Sequence, residues 1–438
     1  MIGALRHQVR EAIARGETTL ATELRAGLAT FLAMAYIIVV NPAILEAAGL
    51  PRDASVTATI CTAIIGTLLM GLYARRPFAV APYMGENAFI AFTVVQGMGV
   101  SWQVALGAIC LAGILFALLT LLRVRAWLAE ALPRPLTRSF AVGIGFFITF
   151  IGLTDLGIVR LGSPGAPVAL GDLTAPATAL GLGGVALTAI LLARRTTGAL
   201  LIGIVATAIA SFILGVTPWP SAIVSAPPSL APIAGQLDLM GALSPRALPV
   251  VLLVFVMAFV DTIGTLYGLS SQARLLNADG RLPDVERPML ADALGNIAAP
   301  LLGTTTAGAY IESAVGIGEG GRTGLVAVVV AALFALALWF APILTAVPLH
   351  ASGVALVILG ALMLQGIREL DPSDLSEWIP AFLTIVLMSF TFNIGVGMTA
   401  GLIAHPVLKV ATGRGREVRV PQWILAALSL AFYLVYPF

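Results

Sequence analysis

Tyr83-Met84-Gly85-Glu86-Asn87-Ala88-Phe89 and Tyr310-Ile311-Glu312-Ser313-Ala314-Val315 decide the fold of this chain. Each sets an acid inside an apolar stretch. Glu-Asn-Ala and Glu-Ser-Ala stand 226 positions apart, about half of the 438 residues. A carboxylate in hydrocarbon costs roughly 2.5–3.5 kcal/mol on insertion scales, so it marks a functional site by default. The same acid-bearing segment in both halves predicts a duplicated membrane protein with its site where the halves meet.

Composition agrees. The chain is 59% hydrophobic and 11% charged, with mean hydropathy +1.00. Such values exclude a soluble globular protein and predict transmembrane helices. The formal charge of +2 reports topology rather than partners. Cys61 and Cys110 lie in apolar stretches without metal-ligand spacing, which supports neither a disulfide scaffold nor a metal site. The polar N-terminus lacks the apolar core of a cleavable signal, so the first span is expected to be retained.

Apolar spans run near 24–45, 54–73, 83–96, 101–122, 136–157, 176–193, 199–217, 248–272, 289–303, 305–318, 323–346, 352–367, 378–393 and 395–411. A continuous helix needs ~20 residues to cross ~30 Å of hydrocarbon. Spans 83–96 and 305–318 are too short, and they carry the repeated acids. Short, glycine-interrupted segments at matching places in two halves point to a transporter binding site. Met34-Ala35-Tyr36 and Met257-Ala258-Phe259 repeat at a similar offset, 223. Fourteen spans as two seven-helix repeats require the second repeat to be inverted.

Arginine sets the orientation. With the N-terminus in the cytoplasm, 21 of 24 basic residues fall inside, and only Arg52, Arg160 and Arg246 fall outside. The Pro/Gly/Ser-rich 157–176 and 218–248 segments are then outer linkers. Apolar 422–437 is not read as a fifteenth full crossing.

Asp261 is the only charge in an apolar run from about 247 to 273, which predicts a role in binding substrate N–H groups, carrying a proton, or both. Glu312 follows Thr304-Thr305-Thr306-Ala-Gly308, an irregular approach to a half-helix. Irregular backbone at membrane depth is tolerated only where it lines a cavity or is buried in protein. A half-helix N-terminus also offers free N–H groups. Asn87 offers donor and acceptors. Glu86 points about 100° away from it on a helix and is left open between ligand, proton carrier and structural acid. Tyr36, Phe259, Tyr83, Phe89 and Tyr310 flank the acids and could stack a planar ring. Asp292 and Asn296, one turn apart, are expected to hydrogen-bond between helices. Asp155 is expected to be solvated and His405 structural. Gly316-Ile-Gly-Glu-Gly-Gly321-Arg322-Thr323 imitates a phosphate loop, but no strand precedes it, and nucleotide hydrolysis is rejected.

Thr22-Glu23-Leu-Arg-Ala-Gly27-Leu-Ala-Thr30-Phe31-Leu-Ala-Met34-Ala35-Tyr36 and Asn41-Pro42 resemble the opening signature of AzgA-like purine permeases, of the nucleobase–cation symporter-2 superfamily. Asp261-Thr-Ile-Gly-Thr265, Ala291-Asp292-Ala293, Glu312-Ser313-Ala314 and Glu319-Gly-Gly-Arg322-Thr323-Gly324 follow in the same order. The resemblance implies an all-α polytopic fold of fourteen segments in two inverted repeats. A core domain would hold 24–122 and 248–346, and a gate domain 136–217 and 352–411, between a cytoplasmic segment 1–23 and a tail 412–438. It implies a proton-coupled symporter, with no cofactor beyond the proton gradient, that imports adenine, guanine or hypoxanthine across the cytoplasmic (inner) membrane.

The family's site acids map onto Asp261 and Glu312, and its third-helix asparagine onto Asn87. Glu86 stands where the family usually has an apolar residue, often Leu. The expected substrate-binding set is Asp261, Glu312, Asn87, Glu86, Thr306, Ser313, Phe259 and Tyr36. Asp261, Glu312 and Glu86 are the proton-coupling candidates. The partners are a nucleobase and the lipid bilayer, with a homodimer left open and no nucleic acid. A carboxylate accepts two parallel N–H bonds from a purine edge. One charge crossing 100 mV yields ~2.3 kcal/mol, roughly fifty-fold accumulation per proton. The rivals are the same fold moving uracil or xanthine, a sulfate-type anion transporter, a passive facilitator and an intramembrane enzyme.

Overall fold

The computed structural model describes residues 1–122, 133–163, 166–277 and 282–435. Arg123, Arg125 and Arg281, counted above for topology, lie outside these residues.

Helix α1 (Ile2–Ala14) precedes the first span. Span 1 is broken at Ala35–Tyr36, between α2 (Leu20–Met34) and α3 (Ile37–Ala47). Span 2 is α4 (Arg52–Leu68), closed by a π-helical turn, Leu69–Tyr73. Span 3 starts extended as β1 (Val80–Pro82) and turns helical as α5 (Met84–Ala88), with a π-helical run over Phe89–Gly97. Spans 4 and 5 are α6 (Trp102–Leu121) and α7 (Arg134–Asp155). A hairpin of β2 (Val159–Ser163) and β3 (Ala166–Leu170) leads to α8 (Pro176–Ala193) and α9 (Ala199–Ile213).

The second half has the same plan. Spans 8 and 9 are α10 (Leu248–Gln272) and α11 (Glu286–Leu302). Span 10 is β4 (Ala307–Ala309) and α12 (Ser313–Gly318). Then come α13 (Gly324–Ala337), α14 (Leu349–Met363), α15 (Leu375–Phe390) and α16 (Ile394–Ala411). The apolar tail forms α17 (Val420–Val435), which turns back along α16. Its Tyr433 hydroxyl donates to Val396 O at 2.9 Å. Among the described residues, nine helices are long and apolar enough to cross a membrane alone. The repeated-acid segments are not among them, as their length predicts.

The strands β1 and β4, one from each half, pair antiparallel, with Val80 opposite Ala309 and Pro82 opposite Ala307. This crossing is the pseudo-twofold centre of the inverted repeat. It relates position 80 to 307 and 82 to 309, an offset of 227. The matching strings in the sequence suggest 226, so the structural register differs by one residue. Tyr83 is equivalent to Tyr310, and Glu86 is equivalent to Ser313 rather than to Glu312. The flanking bonds obey the same offset. Tyr83 N–H donates to Thr306 O at 3.0 Å, and Tyr310 N–H donates to Ala79 O at 2.9 Å.

The helices pack in two groups. In one, α2, α4, α6, α10, α11 and α13 pack around the crossed strands. In the other, α7 packs on α14 and α15, α14 on α8 and α9, and α15 on α16. Gly145 and Gly152 of α7 meet the carbonyls of Gly360 and Gly353 of α14; a Cβ on either would lie 2.9 Å from that oxygen. Small residues allow such close backbone approach between membrane helices.

The loop-like Gly316–Thr323 motif has a structural occupant. The buried Glu23 carboxylate accepts Arg322 N–H at 2.9 Å, Thr323 N–H at 3.3 Å and the Thr323 hydroxyl at 2.6 Å. An anion at the N-terminus of α13 is favourable, and here the chain supplies its own.

Candidate functional site

Every residue of β1 and β4 is buried, so each backbone group there needs a partner. Asp292 Oδ1 accepts Ala309 N–H at 2.8 Å, and Asn296 Oδ1 accepts Ala307 N–H at 3.1 Å. The fit is geometric. Residues i and i+4 of a helix rise ~6.0 Å, and alternate N–H groups of a strand are ~6.8 Å apart. Asp292 also accepts the Thr262 hydroxyl, which ties α10 to the same carboxylate. Asp292 thus bonds between helices, as expected, and both residues also bond a strand. On the other half, Thr67 Oγ1 accepts Val80 N–H at 2.9 Å. Position 82, equivalent to 309, is a proline. It has no N–H, so a counterpart of Asp292 is not needed.

The strands deliver the half-helices. Glu312 immediately precedes α12, and its Oε1 accepts the Tyr36 hydroxyl at 2.6 Å. Tyr36 comes from the break in span 1. Glu86, in α5, is wholly buried; its Oε2 accepts the Thr306 hydroxyl. Asp261 projects from α10 close enough to Glu86 for the two carboxylates to interact electrostatically. Three acids and a tyrosine from four spans therefore converge beside the strand crossing. Tyr83 and Tyr310 lie nearly parallel, 9° apart with centroids at 6.4 Å. Gly308 makes this possible, since a Cβ there would sit 2.1 Å from the Tyr83 hydroxyl oxygen.

The buried polar atoms without a partner among the described residues include Glu86 Oε1, Asn87 Oδ1, Thr305 Oγ1 and the Tyr83 hydroxyl. An unpaired buried polar atom costs about 1–3 kcal/mol, so acceptors left open here suit a ligand that brings N–H donors.

Other expected site residues have different work. Asn87 spends its amide N–H on Asn41 Oδ1, at 2.7 Å, and keeps only an acceptor free. Asn41 in turn donates to Thr59 Oγ1 at 2.7 Å and Thr304 Oγ1 at 3.0 Å, joining spans 1, 2, 3 and 10. The Ser313 hydroxyl accepts Ala79 N–H at 3.0 Å and so holds β1. Phe259 is not brought to Glu312. It packs against Phe116 at 5.8 Å and Phe255 at 5.9 Å. Two residues along a helix is about 200°, so Phe259 faces away from Asp261. Sequence reasoning gave Asn41 and Thr67 no role. Their only signal is a polar side chain in an apolar span, and their partners are remote in sequence or on backbone.

The two sides of the site differ. Toward the Gly97 end of span 3, Phe92 meets Phe147 and Phe392, and Phe392 meets Phe150, in a cluster of rings, with Phe147 and Phe392 at 4.9 Å. Toward the Gln272 end of α10, Gly264 and Gly268 are exposed; a Cβ on Gly264 would meet nothing within 4 Å. Beside them Ile311 is 56% exposed.

The family model Xan_ur_permease, described as a permease family, matches residues 21–400. The chain belongs to this permease family. It is 39% identical to the adenine permease AdeP of Escherichia coli K12 over 96% of this chain and 94% of that one. It is 38% identical to the guanine/hypoxanthine permease PbuO of Bacillus subtilis 168 over 94% and 96%. The transmembrane domain of a cyanobacterial bicarbonate transporter, BicA, superposes with a TM-score of 0.64 at 17% identity, over 87% of this chain and 97% of that one. That likeness shows the fold of core and gate helices. This permease is thus a multi-pass membrane transporter, not an enzyme.

Proposed function

We propose that this permease is a proton-coupled symporter that imports purine bases of the adenine, guanine or hypoxanthine type across the cytoplasmic membrane, with its N-terminus inside. The observation that carries the reading is the convergence of Glu312, Asp261 and Glu86 beside the crossed strands, with unpaired acceptors around them. Glu312, oriented by Tyr36, and Asp261 accept N–H donors of the base. Asn87 contributes its free Oδ1, and Tyr83 and Tyr310 supply aromatic surface. Thr306 holds Glu86 in place, and a proton shared between Glu86 and Asp261 relieves the repulsion of neighbouring carboxylates.

The strand-centred group, 24–122 and 248–346, moves against the other, 136–217 and 352–411, to expose the site to each side in turn. The ring cluster on one side and the open face of α10 on the other support a state facing the end that arginine assigns to the cytoplasm. The names of the relatives support purines over uracil.

The test is competition by unlabelled adenine, guanine, hypoxanthine, xanthine and uracil against uptake of labelled hypoxanthine and adenine. A purine from the first three should compete best. Strongest competition by uracil or xanthine would replace the substrate assignment. Glu86→Leu should reorder the competitors and shift the pH profile of uptake while leaving membrane insertion normal. An unchanged order and profile would make Glu86 a structural acid.

A further inference from the structure

A polar pocket of about 180 Å³ lies outside the site described above and is lined by His7, Gln8, Glu11, Arg75, Arg76, Asp284 and Arg287. It forms between α1, the end of span 2 and the start of α11, on the side that arginine assigns to the cytoplasm. Gln8 builds one wall by donating to Arg75 O at 3.0 Å. Arg75 and Asp284 both hold left-handed backbone, φ 55° and 51°. Non-glycine residues hold that conformation only where their surroundings impose it.

Three guanidinium groups face two carboxylates here, and Glu11 already pairs with His7 at 3.4 Å. Arg76 Nη2 donates to Pro283 O at 2.6 Å, but its buried Nε has no partner among the described residues. Burial lowers the pKa of Arg76; Asp284 opposes that and Arg287 adds to it. Neither Arg75 nor Arg287 has a side-chain hydrogen bond or ion pair among the described residues. Arginines thus outnumber carboxylates here, which suits an anion.

Its setting indicates which. Ile2 is 62% and Ile13 41% exposed on a helix that also carries Arg6 and Arg10, the composition of a helix lying in the headgroup layer. Basic clusters at the cytoplasmic surface attract anionic lipid. We propose that this pocket binds a phosphate group, presented by an anionic phospholipid of the cytoplasmic leaflet. Arg75 and Arg287 bind its oxygens, and the buried Arg76 Nε donates to it.

The test uses the full chain in detergent, stripped of lipid and titrated separately with dioctanoyl phosphatidylglycerol, dioctanoylglycerol and inorganic phosphate. Arg75→Gln/Arg287→Gln should weaken phosphatidylglycerol binding at least tenfold, while Arg194→Gln, elsewhere on the same face, should not. Dioctanoylglycerol, which lacks the phosphate, should not distinguish the variants. Arginine-dependent binding of inorganic phosphate with equal affinity would place the same chemistry in solution rather than in lipid. Phosphatidylglycerol affinity within twofold of wild type, in a double variant that melts normally, would overturn the site. If the double variant does not fold, Arg287→Gln alone, at an exposed residue, is read by the same titration.

Discussion

Glu312→Gln is expected to reduce base uptake at least 100-fold, with the protein present in the membrane at wild-type amount. The residue immediately precedes a half-helix of six residues, beside a strand crossing that is fully buried. One carboxylate oxygen accepts the Tyr36 hydroxyl at 2.6 Å, which fixes the other toward the site. In the amide, one oxygen becomes an NH₂ donor. Either Tyr36 or the base N–H then faces a donor where an acceptor stood. Losing the negative charge weakens the bonds to both Tyr36 and the base, each charge-assisted in the carboxylate, by a total on the order of 3 kcal/mol, about 100-fold. Asp261→Asn should behave likewise. Glu312→Asp keeps the charge but draws it back by one methylene, so residual uptake above the glutamine variant is expected. Wild-type uptake in both Glu312→Gln and Asp261→Asn would remove these residues from the site.

Asp292→Ala should lower uptake by at least tenfold and also reduce thermal stability, although its carboxylate is spent on the chain. Its two oxygens take Ala309 N–H and the Thr262 hydroxyl. Without them two buried donors are orphaned, at about 1–3 kcal/mol each. β4 loses its anchor three residues before Glu312, and α10 loses a tie one residue from Asp261. Two ligands therefore shift at once. Asp292→Asn keeps an oxygen for Ala309, so it should recover most of the stability. It should also leave the order of competing bases unchanged, because the residue positions ligands and does not contact substrate. A reordered competition series in Asp292→Asn would instead place this side chain against the base.

The duplication, the fourteen spans and the two short ones were legible because hydrophobic run length is a one-dimensional quantity, whereas the break of span 1 at Ala35–Tyr36 lies inside an uninterrupted apolar run. Glu312, Asp261 and Glu86 were legible for the same reason, since charge within apolar sequence is conspicuous. What the residues around them do was less so. The Glu86/Glu312 string match suggests an offset of 226. The backbone pairing obeys 227, because register is set by Tyr83 and Tyr310 and by the missing N–H of Pro82, not by identity of letters. Phe259 lies two positions from Asp261 yet faces Phe116, since a helix turns neighbours apart. The partners of Asn41 and Thr67 carried no visible signal. Asn41 reaches Thr304, 263 residues away, and Thr67 serves a backbone N–H, which leaves no trace in side-chain pattern. The Gly316–Thr323 motif read as an imitation of a phosphate loop, and its anion, Glu23, lies about 300 residues earlier.

The central claim is that this site couples purine movement to a proton. Its most direct measurement is uptake of labelled hypoxanthine or adenine into liposomes containing the purified protein, with an imposed inward proton gradient and negative interior potential. Accumulation well above the external concentration, collapsed by a protonophore and absent in Glu312→Gln, is the predicted result. Uptake that only equilibrates, and that is indifferent to the protonophore, would contradict it.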